Sequence, residues 1–76
     1  MELKEFIQNF ADQFEETEVE VFKPETNFKE LEEWSSLIAL SIISMVDEEY
    51  DVTLKGDDIR NSVTIQDLFN LVKAKM

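Results

Sequence analysis

Two adjacent serines, Ser35 and Ser36, are the residues of this chain best placed to do chemistry. They follow Trp34 and open a run to Tyr50 in which a continuous helical pattern ends in acids. Serine is favoured where a helix begins, because its oxygen accepts a bond from an otherwise unpaired backbone N–H. The same free N–H groups, with the positive end of the helix dipole, hold an anion favourably. A serine in that place keeps its hydroxyl exposed and would stabilise a phosphate ester formed on it. Ser36 is therefore the candidate site.

Other chemistries have less support. A serine nucleophile needs a base to take its proton, and the sequence has no histidine, with Lys29 the closest lysine. A carboxylate pair could serve as acid and base, but a 76-residue chain cannot wall off a pocket that excludes water. The acids read as a solvated face. Asp47, Glu49, Asp51 and Asp58 fall on positions 1, 3, 5 and 12 of a calcium-loop window. Val52 takes the place of its turning glycine and Lys55 stands at position 9, so no metal site is expected. Without cysteine there is no disulfide framework and no thiolate metal or redox centre. The chain reads as a protein that is acted upon, not as an enzyme.

The helix behind the serines has two faces. At 100° per residue, Ile38, Ala39, Ile42, Ile43, Met45, Val46 and Tyr50 share one broad arc suited to a core. The opposite arc carries Ser41, Ser44, Asp47, Glu48 and Asp51, with Leu37 and Leu40 among them. Two leucines on a polar, acidic face beside Ser36 suggest a docking strip, although isolated surface leucines are also ordinary. Glu49 falls inside the apolar arc, and a frayed or bent helix end is expected there.

The remaining elements follow from spacing and punctuation. Leu3, Phe6, Ile7, Phe10, Ala11 and Phe14 predict an amphipathic helix from about Glu2 to Glu16, its aromatic stripe facing the core. Residues 17–34 read as a long loop, pinned by Val19, Val21, Phe22, Phe28 and Leu31, with Pro24 opposing helix near its start. Glu18 to Phe22 alternates like a strand but has no partner strand. Trp34 anchors the loop. After Tyr50 a connector reaches Gly56, and Asp57 to Asn61 forms a single helical turn with Ile59 and Leu54 inward. Thr64 and Asp67 have capping-box spacing, with Val63 and Leu68 as a hydrophobic staple, and start a last helix lined by Ile65, Leu68, Phe69 and Val72. The expected fold is all-α, a small four-helix bundle of three main helices plus a short third, in a single domain over residues 1–76.

Charge narrows the partners. Eighteen Asp and Glu against seven Lys and Arg leave a net charge of −11. That opposes binding to nucleic acid or to anionic membrane surfaces and favours basic protein partners, drawn by a field that salt weakens. Residues 1–60 hold 17 of the acids and 5 of the bases, so the acidic field belongs to the first three helices and their loops. The N-terminus is charged from Glu2 onward and no spanning segment is visible, so a soluble, cytoplasmic protein is expected; nothing in the sequence suggests an obligate dimer, so a monomer is expected.

The size, the acidity, the long first loop, the short third helix, the capped last helix and above all Ser35-Ser36-Leu37 opening the second helix together resemble the acyl carrier proteins of the phosphopantetheine-attachment family, over essentially the whole chain. In that family the tripeptide is Asp-Ser-Leu, and its register falls on Ser36, not Ser35. The resemblance implies that a separate phosphopantetheinyl transferase, using magnesium, moves 4′-phosphopantetheine from coenzyme A onto the Ser36 hydroxyl. The arm's thiol would carry acyl groups as thioesters between enzymes of fatty-acid, polyketide or related biosynthesis. Basic-faced synthases and transferases would dock on Leu37, Leu40, Ser41, Ser44, Asp47 and Glu48. Two positions depart from the family pattern: Ser35 replaces the preceding aspartate, and Ser41 replaces a common glutamate. The first turn is thus less acidic, and Glu32 and Glu33 are expected to compensate from the loop. A specialised carrier and a less demanding synthase both fit this departure. The alternative is a helical interaction or regulatory module of the same fold that is never modified.

Overall fold

Phe6 and Phe10, one helical turn apart, are fully buried, and Phe14 nearly so; the bundle is assembled around this stripe. The computed structural model describes residues 2–76. Among these, four α-helices occur: α1 (Leu3–Ala11), α2 (Ser36–Tyr50), α3 (Gly56–Asn61) and α4 (Ile65–Lys75). Helix α1 packs on both α2 and α4, and α3 packs on α4. Ile42 and Val46 of α2 and Ile65, Leu68 and Val72 of α4 are fully buried with the phenylalanines. Each such side chain contributes roughly 1.5–3 kcal/mol of burial. The expected all-α bundle, with three longer helices and a short third, is what forms.

Helix α1 ends earlier than its apolar spacing predicts. It stops at Ala11 rather than near Glu16, and the chain closes with two tighter turns, Gln13 N–H to Phe10 O at 3.2 Å and Phe14 N–H to Ala11 O at 3.0 Å. Two causes combine. Asp12, Glu15 and Glu16 would crowd the negative end of the helix dipole. The backbone N–H groups of Glu15, Glu16 and Thr17 also donate instead to the Glu33 carboxylate, an acceptor stronger than a helix carbonyl.

The long connection holds two single 3₁₀ turns, Val19–Val21 and Phe28–Glu30. Val19 and Val21 were expected to pin it, yet they are 50% and 42% exposed. None of the three residues of that turn is buried; Phe22, the extended residue that follows it, enters the core instead. The connection is held by aromatic contacts. Phe22 lies 4.9 Å from Phe14, Phe28 lies 5.4 Å from Phe10, and Trp34 lies 4.9 Å from Phe28, centroid to centroid. Leu31 packs half-buried beside them. Trp34 is thus the loop anchor that its size suggests.

The start of α4 is fully closed. Thr64 Oγ1 accepts from Asp67 N–H at 3.1 Å, and Asp67 Oδ2 accepts from the N–H groups of Thr64 and Val63, each at 3.1 Å. Two further first-turn donors, Ile65 N–H and Gln66 N–H, reach Thr26 O and Pro24 O of the loop at 3.2 and 2.9 Å. These two bonds, beside the capping box, lock the loop and the last helix together. Helix α2 runs to Tyr50 without fraying, with Glu49 exposed. Asp51 halts it in the left-handed region at φ 55°, which Asp tolerates better than most residues. The Tyr50 hydroxyl accepts from Asn9 Nδ2 at 2.8 Å and joins α2 to α1.

Candidate functional site at the start of α2

The start of α2 is arranged unlike that of α4. Ser35 is the N-cap in extended conformation, and its Oγ accepts a bond from Ile38 N–H at 3.3 Å, while its carbonyl accepts from Ala39 N–H at 3.0 Å. Ser36 is the first helical residue and is exposed. The two serines therefore differ in kind: one hydroxyl serves the backbone, the other points to solvent. Among the described residues, the N–H groups of Ser36 and Leu37 meet no protein acceptor. No acid lies in the first turn of α2. Two free donors and the positive helix end thus face a hydroxyl with no carboxylate to oppose an anion.

Ser36 borders a cleft of about 480 Å³ between α2 and α3. Trp34, Ala39, Leu40, Ile43 and Ile59 supply its apolar walls, and Lys29 and Arg60 its cationic rim. The Lys29 ammonium donates to the Arg60 carbonyl and ties the loop to the end of α3. The Arg60 guanidinium pairs with Asp57 at 2.9 Å on the open surface. Spacing in sequence gave no sign that the Lys29 ammonium reaches the Arg60 backbone carbonyl, because the contact crosses 31 positions.

The residues expected to dock partners line the outer face of α2. Leu37 is 76% and Leu40 59% exposed. Ser44, Asp47 and Glu48 are exposed and Ser41 half-buried. Leu37, Leu40, Ser41, Ser44 and Glu48 border a groove of about 480 Å³ between α1 and α2, whose far wall includes Asp12 and Gln13; Asp47 lies outside it. The core-facing arc of the same helix buries Ile42, Met45 and Val46, while Ile38, Ile43 and Tyr50 are partly buried against them.

Glu32 and Glu33 behave differently from one another. Glu32 is exposed. Glu33 was expected to lend charge to the first turn of α2, but its carboxylate turns the other way and accepts four bonds from residues 15–17. The N–H of Glu15, then the Thr17 hydroxyl and the N–H groups of Glu16 and Thr17, hold it below the usual carboxylate range. The calcium-loop window also dissolves: Asp47 and Glu49 lie within α2 rather than in a loop.

Residues 4–72 match the phosphopantetheine attachment site family. The chain belongs to that family. It is a phosphopantetheine-carrying carrier protein, and such carrier domains are not themselves catalysts. The family's prosthetic group is 4′-phosphopantetheine, covalently attached. A comparison with curated proteins finds no match. The residues at the α2 start fit the group: an exposed hydroxyl, two free N–H donors for the phosphodiester, and an apolar-walled cleft alongside. No helix among the described residues is long and apolar enough to cross a membrane.

Proposed function

We propose that residues 1–76 act as one acyl carrier domain whose 4′-phosphopantetheine is attached to Ser36. The observation that carries this reading is the division of labour in the serine pair. Ser35 Oγ accepts from Ile38 N–H, whereas the Ser36 hydroxyl is exposed beside two unpaired N–H groups. In the transfer the Ser36 oxygen forms the new P–O bond, the bond to the nucleotide half of coenzyme A breaks, and the hydroxyl proton leaves to the transferase. The bound group supplies a thiol that holds an acyl chain as a thioester, in a protein with no cysteine of its own.

The partners are a phosphopantetheinyl transferase and acyl-transferring or synthase enzymes with basic faces. Leu37 and Leu40 offer apolar contact, and Asp47 and Glu48 offer charge on the same helix. A net charge of −11 would steer such partners from a distance. The pathway is one of fatty-acid, polyketide or related biosynthesis, in the cytoplasm, with the carrier acting as a monomer.

The test incubates the protein with a promiscuous phosphopantetheinyl transferase and coenzyme A and reads its intact mass. Gain of one phosphopantetheine is expected, lost in Ser36→Ala and kept in Ser35→Ala. No gain with several transferases would instead favour an unmodified interaction module, and loss only in Ser35→Ala would move the site by one residue.

A further inference from the structure

Glu33 stands between the loop and the serine pair, yet its carboxylate does not serve the helix that follows. Oε2 accepts from Glu15 N–H at 2.7 Å, and Oε1 accepts from Glu16 N–H at 3.0 Å, Thr17 N–H at 2.9 Å and Thr17 Oγ1 at 2.8 Å. Glu15, Glu16 and Glu32 would repel this carboxylate, so the hydrogen bonds and not the local charge hold it there. The next residue, Trp34, is gripped in turn by Phe28 at 4.9 Å and Phe14 at 6.4 Å. Two successive side chains thus fix the path of the backbone as it enters α2. The helix start itself has little else to hold it, with one 3.3 Å cap bond and no reciprocal carboxylate.

We propose that Glu33 is a positioning residue for modification of Ser36: by clamping residues 15–17 it holds the entry to α2 in the one orientation that presents the Ser36 hydroxyl to a transferase. This rests on the reading of Ser36 as the attachment site. The clamp needs both oxygens to accept at once, which the ionised carboxylate does and a carboxamide, with one acceptor and an N–H₂ group, does not. The depression of its pKa accords with that ionised state near neutral pH.

The experiment compares wild type, Glu33→Gln, Thr17→Val and Asp67→Asn at a temperature where circular dichroism shows all four folded. Asp67→Asn is the control, because it damages a carboxylate cap at the other helix start. Transfer of phosphopantetheine from coenzyme A is followed at varied carrier concentration. Glu33→Gln is expected to lower kcat about 3- to 10-fold with KM within about twofold, since the Leu37 and Leu40 face is untouched. Thr17→Val, which removes one of the four donors, is expected to shift kcat the same way by less. Asp67→Asn should leave kcat within about twofold of wild type. Amide exchange of the unmodified proteins gives a second readout: Ile38 and Ala39 N–H should exchange several-fold faster in Glu33→Gln but not in Asp67→Asn. Unchanged kcat in Glu33→Gln, or an equal loss in Asp67→Asn, would overturn the proposal, as would unchanged exchange at Ile38 and Ala39. If wild type takes no group on Ser36, the attachment reading falls and positioning for modification falls with it. The exchange measurement then still decides whether Glu33 orders the α2 start.

Discussion

Helices α2 and α4 both begin with a hydroxyl cap, and they finish the job differently. At α4 every first-turn donor is taken: Thr64 Oγ1 serves Asp67 N–H, and loop carbonyls serve Ile65 and Gln66. At α2 the cap serves Ile38 N–H, and the donors of Ser36 and Leu37 stay open to solvent. Each start also has a carboxylate close by in sequence. Asp67 folds back onto its own helix start, whereas Glu33 is spent on residues 15–17. One start is closed, and the other keeps two donors open beside Ser36, the proposed attachment residue.

The largest expected difference between the two starts is in stability. Thr64→Ala should destabilise by about 1 kcal/mol, a loss typical of a well-formed cap, or roughly 4–8 °C in Tm for a domain of this size. Ser35→Ala, losing a single long bond, should cost less than about half of that. Thermal unfolding followed by circular dichroism checks both. Equal losses would break the comparison.

Acid titration sharpens it next. Glu33 and Asp67 both have lowered pKa values, Glu33 first through the N–H of Glu15 and Asp67 first through the N–H of Thr64. A depressed carboxylate stabilises the fold fully above its unfolded value, about 4.5 for Glu and 3.8 for Asp, and loses that contribution as pH falls through its lower folded value. The Tm advantage of wild type should thus be constant near neutrality and shrink below about pH 4.5 for Glu33→Gln and below about pH 3.8 for Asp67→Asn. An advantage that persists unchanged to pH 2.5 would contradict the role given to these bonds.

Smallest of all should be the response to salt. Screening the self-repulsion of a chain at −11 should raise Tm modestly near neutral pH with sodium chloride, and with magnesium at lower concentration. A Tm indifferent to either would mean that the acids are too dispersed to repel.

Much of this was legible in the sequence, for local reasons. The Phe6, Phe10, Phe14 spacing announces a core stripe because helix periodicity is a near-neighbour property. The Thr64-to-Asp67 spacing announces the cap at α4 for the same reason, and Ser35-Ser36-Leu37 before an apolar run announces where α2 begins. What could not be read depends on contacts across the chain. Nothing near Glu15 to Thr17 says that a carboxylate 16 to 18 residues on will take their N–H groups, so α1 reads several residues too long. Val19 and Val21 look like anchors by residue type, but both stay exposed and Phe22, just past their 3₁₀ turn, enters the core. The meeting of Lys29 with Arg60 beside Ser36 is likewise a product of tertiary packing.

The account turns on whether the open donors of α2 receive the anion, and amide NMR spectra of the protein before and after transfer of phosphopantetheine test that most directly. The expected result is a downfield shift confined to the Ser36 and Leu37 amide protons and their immediate neighbours, with Ile65 and Gln66 at the closed start of α4 unmoved. Loading that leaves the Ser36 and Leu37 amides where they were, or shifts that centre on α4, would contradict it.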